Sequence, residues 1–318
     1  MTAADRESRA LGPGDVLVIG ESLIDVVVPR HGQPRRHAGG SPLNVAAGAA
    51  RLGSPVRFVT SYAQDDAGTL IDQHLVRSGV EVWSQAPVSG HTSTATAVLG
   101  LGGAASYEFD IEWDIAPVSV PGPAAVVHAG SIATHLMPGA NTAFTLLMEQ
   151  HEEAVVTFDP NVRLGLGTAA DDVARSFERF ATVSDVVKLS DEDAAALFGF
   201  SLSPEDVVTR ILELGPSLVV LTRGREGALV ATHADRRHTV PPLVQVVDTV
   251  GAGDSFMAAL VHGIAGARSS GALDLVRMRS ADHWPEGVLS RLADLATRCA
   301  AITVSRAGAD LPWARDLR

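Results

Sequence analysis

The sequence predicts an α/β fold: a central, mostly parallel sheet with helices on its faces, plus a small β lid. Three observations carry that prediction. Short β-branched runs alternate with Ala-rich helical stretches, the pattern of βαβ units. The 318 residues are 46% hydrophobic and 19% charged, ample for a large buried core and far from the composition of a disordered chain. The stretch 92–111 (TSTATAVLGLGGAASYEFDI) instead alternates polar and apolar residues about a Gly-Gly turn. That pattern fits a half-exposed hairpin outside the central sheet.

Taken in order, VLVI from Val16 to Ile19 reads as a buried first strand ending at Gly20, and 24–29 run extended into a Pro-containing turn. SPLNVAAGAARLG is a helix with both ends marked: Ser41 as N-cap, Pro42 at the first helical position and Gly53 just past the end. VRFVT at 56–60 is the next strand. Beyond the hairpin come strands at 125–130, 154–159, 185–190 and 217–222, with helices over 140–150 and 171–181 among them. The least readable stretch is 266–285, with a Gly/Ser-rich start, a Pro end and room for one short helix. One domain over 1–318 is expected, its lid contributed by about 21–38 and 92–114.

Composition also excludes. A net charge of −12 would repel a phosphate backbone, so no nucleic-acid partner is expected. Cys299 is the one cysteine, which rules out an intramolecular disulfide and thiolate zinc clusters; it reads as a core filler in an Ala-rich helix. The N-terminal residues lack a basic start followed by an apolar run, and no run of about 18 apolar residues occurs. A cytoplasmic protein with no membrane partner is the expectation. No GxxxxGK[ST] loop, GxSxG elbow or HExxH spacing is present, and His233 and His238 read as surface residues.

The stretch that carries chemistry is DTVGAGDSFMAALV, from Asp248. Phe256, Leu260 and Ile264 recur every fourth residue, so an apolar helix face begins directly after the glycines. Gly251, Ala252 and Gly253 therefore stand at a helix N-terminus, where unpaired N–H groups and the macrodipole favour an anion. Asp254, on the first turn, can take a proton from an incoming hydroxyl. Donors for a migrating phosphoryl group beside a base for its acceptor are what phosphoryl transfer needs. Taken alone, the same residues also fit a plain turn before a core helix.

The wider sequence separates the two readings. DTVGAGDSFMAALV resembles the C-terminal signature of the ribokinase family of carbohydrate kinases, also called the B-type phosphofructokinase family. GGSPLNVAAGAARLG resembles its N-terminal signature, about 200 residues earlier in the family order. The resemblance covers nearly the whole chain and implies a ribokinase-like three-layer fold and an ATP-dependent sugar kinase. By that resemblance Asp254 is the catalytic base and Gly251, Ala252 and Gly253 form the anion hole, while Asp25, Gly39, Gly40 and Asn44 hold the sugar hydroxyls. Tyr107 of the lid and Asn161 join the substrate side.

VKLSDEDA (187–194) resembles the family's K-x-N-x-x-E stretch, with Ser190 for the usual Asn and Asp193 for the usual Glu. Lys188 and Ser190 are thereby assigned to the nucleotide, and Asp193 to magnesium through water. Ser190 before three acidic residues is equally a good helix start. Thr222, Gly224 and Gly227, in LTRGREG, resemble the turn under the triphosphate and ribose, and the helix carrying Thr297 is expected to line the adenine pocket. Relatives bind a monovalent cation, potassium, at the loop matching Asp248 and Thr249, an ion this sequence leaves open. Family lids often pair between subunits, which implies a homodimer.

FDPNVR and HAGSIATHLMPGA resemble fructokinase and 2-keto-3-deoxygluconate kinase members more than ribokinase or adenosine kinase. Arg163 is then expected to face substrate or the transferred phosphoryl group. The lid segment ASYEFDIEWD has no arginine, which keto-acid-sugar kinases often carry there to meet a carboxylate, so a neutral sugar such as fructose is expected. Thr60, Ala63 and Gln64 also depart from the family pattern. Ribose, 2-keto-3-deoxygluconate and a nucleoside remain alternative acceptors. A non-catalytic sugar-binding relative, suggested by Ser190 and Asp193 alone, is the alternative of another class.

Overall fold

Along each central strand, alternate residues enter different cores. Val16 and Val18 belong to one hydrophobic cluster, and Leu17 and Ile19 to another. Strands buried on both faces in this way form a sheet covered by helices on each side. The computed structural model describes residues 10–29, 32–99, 105–163, 168–279 and 284–318.

Its strands are β1 (Val16–Ile19), β2 (Leu23–Val28), β3 (Arg35–Gly39), β4 (Val56–Ser61), β5 (Val80–Gln85), β6 (Thr94–Leu99), β7 (Ala105–Asp110), β8 (Val126–Gly130), β9 (Val155–Asp159), β10 (Val186–Ser190), β11 (Leu218–Thr222), β12 (Ala228–Ala231) and β13 (Arg236–Thr239). The helices are α1 (Ser41–Leu52), α2 (Asp66–Ser78), α3 (Gly139–Gln150), α4 (Ala170–Ala181), α5 (Asp191–Phe198), α6 (Pro204–Leu212), α7 (Ala252–Ser269), α8 (Leu275–Arg279) and α9 (Glu286–Val304). The nine-stranded sheet has the order β13-β12-β11-β10-β9-β8-β1-β4-β5. It is parallel from β11 to β5, with antiparallel β12 and β13 on one edge.

Residues of α1, α2, α7 and α9 share the core of Val16, Val126, Val155 and Val186, whereas residues of α3, α4 and α6 share that of Leu17, Val127, Val156 and Val187. Within the second core, Phe144, Phe158, Phe177 and Phe180 make edge and tilted ring contacts. Among the described residues no helix is long and apolar enough to cross a membrane.

The hairpin expected at 92–111 is present as β6 and β7, paired antiparallel from Thr94↔Asp110 to Leu99↔Ala105. It is half of a separate four-stranded sheet, β3-β2-β6-β7, because β6 also pairs in parallel with β2. Its Gly-Gly turn lies outside the described residues. Ile24 is fully buried and Val26 and Ala38 lean on the first core, so one face of this sheet rests on the body. In the stretch 266–285, α7 runs to Ser269 and α8 follows. One expectation needs correction: helix α1 starts at Ser41 itself, with Gly40 in the N-cap position and no side-chain cap. The Ser41 hydroxyl is committed elsewhere.

Candidate active site

The C-terminal ends of β1, β8, β9, β10 and β11 open on one edge of the parallel sheet, the place where α/β sheets of this kind hold ligands. The N-termini of α1 and α7 meet there. Small residues allow their close packing: a Cβ on Gly48 of α1 would come within 2.7 Å of the Ala258 Cβ of α7. Across that contact the Asp254 carboxylate accepts hydrogen bonds from Ser41 Oγ at 2.7 Å and Asn44 Nδ2 at 2.8 Å. Ser41 was missed as a site residue; its place beside Asn44 in the glycine-led signature was the available signal, read instead as a cap.

Gly251 precedes α7 in a left-handed conformation, φ 77°, and a Cβ there would meet Ala309 at 2.6 Å. No side chain caps α7. The Ala252 N–H turns back to the Thr249 carbonyl at 3.3 Å. The N–H groups of Gly251, Gly253 and Asp254 have no partner among the described residues, so of the three expected positions only Ala252 is engaged within the turn.

On the side of the four-stranded sheet, Asp25 pairs across the strands with His37. Its carboxyl, exposed to water but walled by protein, is pushed up to about 6 by desolvation, against the pull of His37 and Arg163. A Cβ on Gly39 would fall 2.1 Å from Asp25 Oδ2 and displace that carboxyl, whereas Gly40, φ 105°, lies against the Glu21 carbonyl and is required by its backbone angle and that close approach. Buried Glu21 was not foreseen. Its Oε2 accepts from the Ala133 N–H at 3.0 Å, its Oε1 has no partner, and burial raises its carboxyl to about 7. Tyr107 lies on β7, with its side chain outside the described set. Arg35 stands two residues from His37 on β3, on the same face as Asp25, so basic groups absent from β7 are present on β3, the opposite edge strand of the sheet.

Below the cleft, Lys188 Nζ donates to Asp159 Oδ2 at 2.8 Å, and both side chains are almost wholly buried. Asp193 accepts at Oδ1 from the Val162 N–H at 2.7 Å, and at Oδ2 from the Ser190 N–H and hydroxyl at 2.8 and 2.7 Å. Its carboxylate therefore ties the 158–163 segment to the capping box of α5. Asn161, at φ 35°, turns the chain there. Arg163 is exposed at the rim, donating to its own neighbour's carbonyl, Val162 O, at 3.1 Å.

At the expected nucleotide end, Thr222 Oγ1 donates to Leu189 O at 3.3 Å. Gly224 (φ 50°) and Gly227 (φ 87°) flank a single 3-10 turn, and a Cβ on Gly227 would strike the Thr239 carbonyl at 1.9 Å. Thr297 Oγ1 on α9 is buried with no partner among the described residues. Asp248 accepts from the N–H groups of Val250 at 3.1 Å and Gly308 at 2.9 Å, bonds that hold its carboxyl below the usual range. It thus joins the loop of Thr249 to the 304–310 segment. Among the described residues no group of three or more His, Cys, Asp or Glu could hold a metal unaided.

The profile of the pfkB family carbohydrate kinases matches residues 14–315. A fructokinase of Escherichia coli is 30% identical over 302 residues, covering 92% of this chain and 94% of that protein. A fructokinase of Rhizobium leguminosarum bv. trifolii is 35% identical over 259 residues, covering 77% and 78%. Among solved structures, a fructokinase double mutant from Vibrio cholerae O395 with fructose, ADP and potassium bound superposes with a TM-score of 0.77. It is 26% identical and covers 95% of each chain.

Proposed function

We propose that this chain, which belongs to the pfkB family of carbohydrate kinases and is a sugar kinase, transfers the γ-phosphoryl group of ATP to a hydroxyl of fructose or a related neutral ketose. The observation that carries the reading is Asp254, held between Ser41 and Asn44 at the uncapped start of α7, on the side of the cleft that Asp25 faces. Fructokinase relatives support the ketose.

In this reading Asp25, Gly39, Gly40 and Asn44 orient the acceptor, with Tyr107 and Asn161 beside it. Asp254 takes the proton of the acceptor hydroxyl as its oxygen attacks the γ-phosphorus. The γ-phosphorus bond to the bridging oxygen breaks and ADP leaves. Amides at the start of α7 hold the charge that builds on the moving group. Ser41 and Asn44 donate to Asp254 and aim it, and Arg163 brings charge from the rim. Bound magnesium would neutralise charge on the phosphates; Lys188, Ser190, Asp193, Thr222, Gly224, Gly227 and Thr297 form the nucleotide side, and the Asp248–Thr249 loop is the place for potassium. The four-stranded sheet serves as the lid of a single catalytic domain, and pairing of two lids gives a homodimer.

A coupled ADP-release screen over fructose, ribose, 2-keto-3-deoxygluconate, phosphorylated ketoses and nucleosides tests the substrate. Fructose should give the highest kcat/KM. Arg35 and His37 beside Asp25 make the acidic sugars a necessary part of the panel, and a higher value for one of them would overturn the neutral-ketose reading.

A further inference from the structure

Asn44, Gly48 and Arg51 follow one another at intervals of four and three residues, so they share one face of α1. Asn44 donates to Asp254 on the first turn of α7, and Gly48 lies against Ala258 one turn further on. Arg51, in the last turn of α1, reaches instead to the segment that follows α9. Its Nη1 donates to the Leu311 carbonyl at 2.9 Å and pairs with Asp310 Oδ1 at 3.4 Å, and its guanidinium lies 5.2 Å from the centre of the Trp313 ring. On its other side, Nε donates to Ser78 Oγ at the end of α2 at 3.1 Å. The Arg51 side chain is only 10% exposed, so little water competes for these donors.

The segment that Arg51 grips bears on the turn before α7 at three points. The Gly308 N–H donates to Asp248 Oδ2 at 2.9 Å. Ala309 closes on Gly251, where a Cβ would fall 2.6 Å from the Ala309 Cβ. Buried Leu311 fills the angle between the two helices: a Cβ on Gly48 would meet its side chain at 2.5 Å, and one on Gly251 at 3.6 Å. The far part of the segment is tied to itself, because Asp316 Oδ2 accepts from Arg306 Nη2 at 3.0 Å and from the Trp313 N–H at 2.9 Å. No side chain caps α7, so the left-handed Gly251 turn leans on what packs outside it.

We infer that Arg51 is a positioning residue for phosphoryl transfer: by holding the 308–311 backbone against α1, it sets the place of the Gly251 turn and of the amides that follow it. The inference deepens the site reading above and rests on it. Arg51 stands seven residues from Asn44, about 10 Å along the helix at 1.5 Å per residue, so it acts through Leu311 and Ala309 and not by touching the acceptor. Helix α1 thereby holds both parts of the reaction centre, the base through its first turn and the glycine turn through its last.

The test is Arg51→Met, which keeps the packing of the stem and removes every donor. The value of kcat should fall roughly 10- to 100-fold, the scale of loss for a misplacement approaching 1 Å. The sugar KM should move less than about threefold, because the acceptor is held elsewhere. Hydrogen exchange without ligand should quicken in 248–254 and 305–311 and stay unchanged in β1 and β8. Arg51→Lys, which retains the charge and a donor for the Leu311 carbonyl, should fall between Arg51→Met and wild type. Ser78→Ala breaks the Nε bond but leaves the contacts to 308–311 in place, so its kcat should stay within about twofold of wild type. If Arg51 only adds stability, Arg51→Met melts earlier but keeps wild-type kcat, assayed well below its melting temperature, and wild-type exchange in 248–254. That result overturns the inference alone. A wild-type protein that releases no ADP with any sugar overturns the phosphoryl-transfer reading and this inference with it.

Discussion

Asn44 Nδ2 and Asp254 Oδ2 lie 2.8 Å apart across 210 residues of sequence, so the two glycine-led signatures of this chain meet in one hydrogen bond. The donor leaves both the orientation and the negative charge of the carboxylate intact. Asn44→Ala removes it. A hydrogen bond to a charged group contributes about 1.5–3 kcal/mol, so kcat/KM should fall by roughly 10- to 150-fold, with a raised sugar KM as part of the loss. Steady-state kinetics with fructose check this; an unchanged kcat/KM would place Asn44 outside the site.

Asp254→Asn keeps the shape of the side chain but supplies a negligible base. Sugar and ATP affinities should change little, while kcat falls by about 10²–10⁴-fold, the usual contribution of general-base catalysis. Raising the pH should restore part of the rate, because hydroxide then takes the proton. A folded variant with near-wild-type kcat would leave Asp254 as a structural residue.

Two glycines with similar backbone angles should respond differently. Gly53, at φ 112°, ends α1 in open space, whereas Gly251, at φ 77°, faces Ala309. Gly53→Ala should cost only the left-handed strain of about 1–2 kcal/mol, with kcat unchanged. Gly251→Ala adds the overlap with Ala309 and tilts the first turn of α7, so both melting temperature and kcat should fall. Calorimetry and a single assay on each variant are sufficient.

Glu21 makes stability depend on pH. Burial lifts its carboxyl from 4.5 to about 7, so the folded protein binds a proton that the unfolded chain has already released between those values. Its contribution to stability therefore falls as pH rises through that window. Glu21→Gln removes the titration. The variant should gain on wild type with rising pH, by roughly 3 kcal/mol above pH 7 at 1.36 kcal/mol per decade, with the difference flat above that point. Equal pH dependence in the two proteins would mean that Glu21 is ionised in the fold at little cost.

Much of the site was legible because its parts are local. A glycine run before an apolar helix specifies an uncapped N-terminus wherever that helix packs, and Asp254 belongs to its first turn by counting. Gly39 and Gly40 stood out as glycines, and the reason for them, Asp25 and Glu21 pressed against their backbone, became visible only with β2 and β3 paired. Ser41 was misassigned because a serine before Pro42 has two uses for its hydroxyl. The sequence near it supports the cap, and the competing acceptor, Asp254, is 213 residues away. Glu21 and Asp159 were passed over for a similar reason: isolated acids at strand ends look solvated until the neighbouring strands bury them.

The sequence by itself determined the alternation of strands and helices, the sheet's two buried faces, the glycine-led start of α7 and the half-exposed hairpin. Each follows from periodicity and from the backbone limits of glycine and proline, which act over a few residues. Tertiary structure decided which groups face one another: Ser41 and Asn44 with Asp254, Val162 with Asp193, and Lys188 with Asp159 behind Gly253. It also joined β6 to β2, making one four-stranded sheet of two distant segments. These pairings rest on strand order and on the close crossing of α1 with α7, and no local pattern encodes either. Burial then set the charge states, because desolvation depends on what packs around a group and not on its neighbours in the chain.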